Sequence, residues 1–443
     1  MSTTPFNRIA TRGRLLATSR LPLTVLCLSL LFEYLRIHDM LPILGKLKIQ
    51  TAFLALFILV VARQISASKV RLAPQSRLFL GFLGLAFVTF PLATNWFYAY
   101  QFAYGIALTL VGYFAIVYIL RSEQDLKTFF AWLIGIHIYL ATRGIRGYSA
   151  AQFNEQGYTS TGFVGGHFLG DENDFSLALN IALPLAIYLF RQARTTRSRV
   201  CWGVGIAAML ITIVFTFSRG GFVGLAAMAL YWAVTSKKKS EAIGALVLAA
   251  MLVIAVAPPE YWARIGTITA PEDPYGTREA RENYWAAARR MFVASPIWGV
   301  GGGNFGVLLP EYAYEIPPEL LPNQWGRATH SLYYQLLAEF GLVGVFLIGA
   351  VLVLNFRDLR QIRALGRKRR CSGSIEQLAE CLRLSWIGLL VSGTFVSVLS
   401  YPHLYYLTAL TLVVHRLAVE ESMSPKREPS AARRSVIGRW STT

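Results

Sequence analysis

Apolar runs long enough to cross a bilayer recur along this chain, and they leave few folds open. A membrane-spanning helix needs about 20 mostly apolar residues. Such runs are Leu21–Ile37, Leu47–Ala62, Leu78–Thr94, Tyr98–Leu120, Thr128–Ala141 and Asn173–Phe190 in the first half. Val200–Phe217, Gly221–Val234, Ala242–Ala257, Ser331–Leu354, Leu384–Ser400 and His403–Val419 follow. With 54% hydrophobic and only 15% charged residues, the composition is not that of a soluble globular chain. The expected fold is all-α, a polytopic membrane helix bundle of about twelve transmembrane helices. The second and fifth runs are short, so ten or eleven spans is the alternative. No small-residue cleavage site follows the first run, which is therefore expected to stay as an anchor.

The lysines and arginines orient this bundle. With both termini cytoplasmic, the inner segments are the N-terminus, Arg63–Arg77, Arg121–Lys127, Arg191–Arg199, Lys237–Lys239, Arg357–Arg383 and the tail from Arg416. These hold 31 of the 43 cations. That alternation follows the positive-inside rule and puts the long polar segment from Pro258 to Arg327 outside, in a bacterial inner membrane the periplasm. The expected organisation is a membrane domain over 1–257, a periplasmic loop over 258–330 with a basic helix at 277–294, a second membrane part over 331–419, and a disordered cytoplasmic tail over 420–443.

The net charge of +19 has the same origin. Nucleic-acid binding would gather basic residues on one face; here they flank helix ends, where anionic lipid headgroups attract them. Membrane lipid is the expected partner, not nucleic acid. Cys27 and Cys201 fall inside apolar runs, and Cys371 and Cys381 in a cytoplasmic loop, so no structural disulfide is expected. Neither an internal repeat nor a metal-spaced Cys/His cluster is present.

The polar segment concentrates the chemistry. Half of the chain's 18 prolines lie between Pro258 and Pro322. Arg219, in Phe217-Ser-Arg-Gly-Gly221, sits in so short a connection that its guanidinium lies at the outer membrane surface, either snorkelling to headgroups or meeting a ligand that the two glycines let approach. In the basic helix, Thr277 is read as the N-cap and Glu279 lies in the first turn. At 100° per residue Arg278, Arg281, Trp285, Arg289 and Phe292 fall within roughly an 80° arc. This face suits an interfacial amphipathic helix; it equally suits a wall for a phosphate-bearing lipid, since the arginine fork matches phosphate oxygens.

The glycine loop Gly299–Gly306, with Gly301 near its centre, lacks the Gly-Lys-Ser/Thr ending of a nucleotide loop and is read as a hinge beside the site. His330 opens the tenth span with Arg327 close by, and its ordinary pKa near 6.5 lets it move a proton at ambient pH. Glu339, about two and a half turns deeper, is an ionisable group in hydrocarbon and so a candidate, with helix pairing as the other role. Asp171, Glu172 and Asp174 suit a helix N-terminus as caps; metal or acceptor binding is the alternative role of the three.

Taken in order, these pieces are similar to a known family. Thr216-Phe-Ser-Arg-Gly-Gly221, then Arg281-x-x-x-Trp285, then Ser295-Pro296-x-x-Gly299-Val-Gly-x-x-x-Phe305, then His330-Ser followed by Glu339-x-Gly341-x-x-Gly344 resemble the signature series of the bacterial O-antigen ligase family. That family also includes O-antigen polymerases and pilin-type O-oligosaccharyltransferases. The resemblance spans roughly Gly170–Leu354, and Ser331 stands where asparagine is frequent. It implies a GT-C-like membrane glycosyltransferase that takes a glycan from undecaprenyl diphosphate and needs no metal or other cofactor. In ligases the acceptor is a hydroxyl of lipid A–core. The family's essential arginines map onto Arg219 and Arg281 and its essential histidine onto His330. Arg278, Arg289, Arg327 and Trp285 are expected to hold the diphosphate headgroup. The rival reading from another class, a lipid-linked sugar transporter or flippase, would place polar breaks near mid-membrane in two related halves; here the polar residues gather at one surface.

Overall fold

The structure, a computed structural model, describes residues 20–68, 71–149, 169, 171–236, 238–268 and 276–423. The fold is all-α, with no strand among the described residues. Each predicted run falls largely on a helix, though the eleventh, Leu384–Ser400, is helical only to Phe395: α1 (Leu21–Leu35), α2 (Ile49–Ala67), α3 (Pro74–Val88), α4 (Trp96–Ile119), α5 (Glu123–Ser149), α6 (Glu172–Gln192), α7 (Thr196–Phe215), α8 (Arg219–Thr235) and α9 (Lys239–Val256). The polar segment adds α10 (Pro259–Gly266), α11 (Thr277–Ala294) and α12 (Phe305–Tyr312). The last three long helices are α13 (Leu332–Arg367), α14 (Gly373–Ser392) and α15 (Pro402–Met423). The two short runs are therefore helices of 19 and 27 residues, α2 and α5. Among the described residues eight helices are long and apolar enough to cross a membrane, fewer than the twelve expected but still those of a multi-pass membrane protein.

Burial ranks the helices. The apolar window of α6 is 83% buried and that of α4 67%, against 11% for α2 and 6% for α9. So α6 is the central helix, packed by α5, α7, α8 and α14, while α9 shows Ile243, Val247, Leu248, Met251 and Ile254 to its surroundings. Such a row is tolerable only against lipid. The contact between α8 and α6 needs a glycine: a Cβ at Gly221 would fall 1.7 Å from Ser176 Oγ. The bare backbone instead lets Asn180 Nδ2 donate to the Gly221 carbonyl at 2.9 Å. That close approach fixes where α8 begins, and hence where Arg219 stands.

α13 departs from the single straight span that its run suggests. It breaks at Gly341, whose φ of 55° and ψ of −154° leave the helical region. The break frees backbone groups at bilayer depth, where each unsatisfied group is costly. A neighbouring strip of chain satisfies them. Val300 N donates to Ala338 O at 2.9 Å and Gly301 N to Glu339 O at 3.1 Å. In return, Leu342 N donates to Pro296 O at 2.9 Å and Val343 N to Ile297 O at 3.2 Å. The glycine loop is thus locked into the break and is no hinge. At Gly299, φ is +72° and a Cβ would lie 2.3 Å from the Glu339 carbonyl carbon.

Further differences follow from helices running past their apolar cores. The predicted loop Arg357–Arg383 is mostly the end of α13 and the start of α14, so Cys381 is buried within a helix and not in a loop. α15 runs on to Met423, four residues into the predicted tail, and the rest of that tail lies outside the described residues. The cap of α11 is Gly276 in the left-handed region, not Thr277; the Thr277 hydroxyl has another task.

Candidate active site

Local turns bring the charges to one end of the bundle. Asp171 caps α6, its Oδ1 accepting from Asn173 N at 2.7 Å and Asp174 N at 3.3 Å. Ser218 caps α8 through Gly221 N at 3.0 Å and donates to Asn173 Oδ1 at 2.7 Å. The two helix starts are thereby tied together, with Arg219 the first residue of α8. Its guanidinium donates from Nη1 to Thr267 Oγ1 at 2.8 Å and from Nη2 to the Thr277 hydroxyl. Arg219 therefore bridges the end of α10 and the start of α11.

Arg281, one turn along α11, is the electrostatic centre. Burial pushes its proton affinity down first, and the guanidinium groups of Arg219 and Arg264 push it further, with Asp171 and Glu172 opposing. It stays cationic all the same, because an arginine is not deprotonated in proteins. Three guanidinium groups and two carboxylates thus face one another with a net positive charge, an arrangement that an incoming anion relieves.

His330 stands at the mouth of α13 with φ +50°, a left-handed conformation unusual for a residue with a side chain. Its ring lies 6.3 Å from that of Tyr284, stacked at 22°. The backbone on either side is pinned: Thr329 Oγ1 pairs with Ser397 Oγ at 2.7 Å, and Ser331 caps α13 through Tyr334 N at 3.4 Å. Serine caps as well as asparagine. Burial is the main cause that lowers the imidazole pKa; Arg281 and Arg327 lower it too and Asp171 raises it. At neutral pH the ring is neutral and able to accept a proton. Activity that needs this form is expected to hold at neutral pH and to fall as pH drops through the His330 pKa, below the ordinary value of about 6.5. Arg327→Gln removes one lowering cation, so the acid limb of the pH–rate profile is expected to move to higher pH; an unmoved limb would assign it to another group.

The structure brings Arg219, Arg281, His330 and Asp171 together and ties Trp285 and Arg327 to them. Trp285 Nε1 donates to Thr329 O at 3.1 Å and its ring stacks on Tyr334 at 5.2 Å, holding α11 against the His330 turn. Arg278 and Arg289 are not brought in. Arg278 is exposed and paired with Glu282 at 3.4 Å. Arg289 is exposed too and donates to Tyr334 Oη at 3.2 Å. Glu339 and Gly301 belong to the loop lock. Glu339 is buried, accepting from Phe305 N at 3.3 Å, from the Gly303 amide, and from Gln335 Nε2 at 3.3 Å. Glu339→Gln is expected to cost about 1–3 kcal/mol of stability while leaving the rate per folded molecule unchanged, as thermal unfolding beside a rate assay reports.

Sequence reasoning missed Arg264, Thr267 and Tyr401, and read Asp174 only as one of three acids at a helix start. Arg264 is buried on α10 within electrostatic reach of Arg281 and Glu172. Tyr401 Oη donates to Asp174 Oδ2 at 2.7 Å. The scarcity of cations on this side of the chain was a signal for Arg264; nothing local marked Thr267 or Tyr401. Tyr401 also lines a cavity of about 790 Å³ between α1, α2, α4 and the start of α15, with Glu33, Arg36, Tyr98, Gln101 and Gly303 among its other walls. A second cavity, of about 180 Å³, shares Tyr98 and Gly303 and reaches Arg327, Thr329 and Glu339. Arg219, Arg281 and His330 line neither cavity; Tyr401, bonded to Asp174, lines the first and Arg327 the second.

The described helices thus gather arginines, acids and one histidine at one end of a multi-pass bundle. Residues 204–349 match the family model described as O-antigen ligase. The matched domain is that of membrane enzymes of the O-antigen ligase/polymerase superfamily, and lipid-linked sugars and glycolipids are that family's general partners. A search of curated proteins finds no match for the chain. The matched stretch holds Arg219, Arg264, Arg281 and His330; Asp171 and Tyr401 lie outside it.

Proposed function

We propose that the protein transfers a glycan from undecaprenyl diphosphate to an acceptor hydroxyl, lipid A–core in the ligase-type reaction, at the periplasmic face of a bacterial inner membrane with both termini cytoplasmic. The observation that carries this reading is the cluster of Arg219, Arg264 and Arg281, held together against their mutual repulsion. A diphosphate relieves that repulsion, and its charge grows as the sugar leaves. At an effective dielectric near 20 a close unit-charge pair is worth about 4 kcal/mol, and arginine forks meet phosphate oxygens in pairs. The domain plan of two membrane parts joined by the 258–330 loop belongs to the same proposal.

The chemistry is a displacement at the sugar's C1. The acceptor oxygen forms a bond to C1 while the C1–O bond to the diphosphate breaks, and the departing electron pair stays on the diphosphate oxygen. Arg219 and Arg281 stabilise that charge, which is the usual work of a preorganised cationic pocket. The acceptor hydroxyl proton passes to the neutral imidazole of His330, acting as general base. Asp171 faces the imidazolium so formed and Tyr284 stacks on it. This scheme assigns no step to a metal or other cofactor. The 790 Å³ cavity, lined in part by Tyr401, has room for part of a lipid-linked substrate.

The test uses purified protein in detergent with undecaprenyl-diphosphate glycan and either lipid A–core or a second lipid-linked repeat, with product followed on gels. Arg219→Ala, Arg281→Ala and His330→Ala should each abolish transfer while insertion and helicity persist. Full activity in all three would end the mechanism. Product from two lipid-linked repeats alone would make the enzyme a polymerase, and product on a protein hydroxyl an O-oligosaccharyltransferase. Vectorial movement of the lipid-linked sugar without transfer would make it a flippase.

A further inference from the structure

The break in α13 gives the chain before it a depth. Gly341 lies nine residues beyond Leu332, about 13 Å down the helix at 1.5 Å per residue. Pro296 and Ile297, whose carbonyls accept from Leu342 N and Val343 N, sit at that same depth. The chain here is not helical, yet its polar groups are satisfied: Gly299 N donates to Ser295 O at 2.9 Å, Val300 N and Gly301 N donate to α13, and Val300, Gly301 and Gly302 are buried. Irregular backbone survives below a membrane surface only under that condition.

Its side chains point the other way. Val293, Ile297 and Trp298 are 75%, 53% and 43% exposed. Beside them on α13, Leu342 and Phe346 are 55% and 70% exposed. The patch therefore continues the outward face of a spanning helix. No charged residue occurs from Met291 to Pro310, whereas Arg289 and Arg290 immediately precede it and Arg290 pairs with Glu315. In water such a patch is unfavourable; in acyl chains it costs nothing.

We propose that residues 293–298 form a lip embedded in the acyl-chain region of the bilayer, with lipid hydrocarbon as its partner. The lip anchors the C-terminal end of α11 in the membrane, and so holds Arg281, on the same helix, at headgroup level. It is a surface for lipid chains and not a docking site for another protein.

Two measurements in lipid nanodiscs test it. In a chain whose Cys27, Cys201, Cys371 and Cys381 are replaced by alanine, spin labels go onto Ile297→Cys and Trp298→Cys. Leu230→Cys on α8 serves as the lipid reference and Tyr314→Cys, beside the Arg290–Glu315 pair, as the water reference. At 297 and 298 the collision rate with oxygen is expected to exceed that with a water-soluble nickel chelate, as at 230; the ratio seen at 314 would overturn the proposal. The unmodified protein supplies the second measurement, which does not depend on the substitutions folding. A lipid carrying a mid-chain diazirine should leave adducts on peptides covering 293–298 as it does on those covering 342–346. Adducts on the second set alone would overturn it equally.

Discussion

Arg281→Ala is expected to lower glycan transfer by about 10²–10³-fold, the usual effect of removing one preorganised charge-stabilising donor, without unfolding the bundle. The sign of the stability change makes the prediction specific. Arg281 is half-buried beside Arg219 and Arg264, and both that burial and those neighbours disfavour its charge in the free enzyme. Removing it relieves that cost, so Tm should stay level or rise as activity collapses, the trade-off expected where an active site stores unfavourable charge. Arg281→Lys keeps the charge but loses the planar fork, and only part of the rate should return. Measurements of kcat and Tm on the same preparations check both halves. A variant that loses stability and rate in proportion would make Arg281 a structural residue.

Gly341→Ala should unfold or severely loosen the outer half of α13. The position combines φ 55° and ψ −154°, a region essentially reserved for glycine and costing about 1–3 kcal/mol with a side chain. The added Cβ would also lie 2.6 Å from the carbonyl oxygens of Pro296 and Ile297, the acceptors that close the break. The expected loss is about 3 kcal/mol or more. Gly349→Ala, on the same helix, meets nothing within 4 Å and should gain about 0.5–1 kcal/mol from helix propensity. Thermal unfolding followed by helical circular dichroism separates them. Equal behaviour of the two would show that the break is not needed.

The spanning helices were legible in the sequence because length and apolarity are local properties, and even the weak runs at Leu47–Ala62 and Thr128–Ala141 proved to be helices. Arg219, Arg281 and His330 were legible for a related reason: cations are rare on that side of the chain, and their spacing resembles a family series. Arg278 and Arg289 share a helical arc with Arg281, but an arc does not say which part of it meets a neighbour. Only the approach of α10 and of the His330 turn selected Arg281 and left the other two at the surface.

Local pattern thus determined that this chain is a membrane bundle, where its helices run, and which scarce charges gather near one surface. The tertiary structure alone decided that α13 breaks at Gly341, that Glu339 serves the glycine loop, and that Thr267 and Thr277 hold Arg219. The reason is physical: each of these rests on a hydrogen bond or a close contact between residues 34 to 58 positions apart or on backbone pairing across the break, and no periodicity encodes which distant partner will satisfy a freed backbone group.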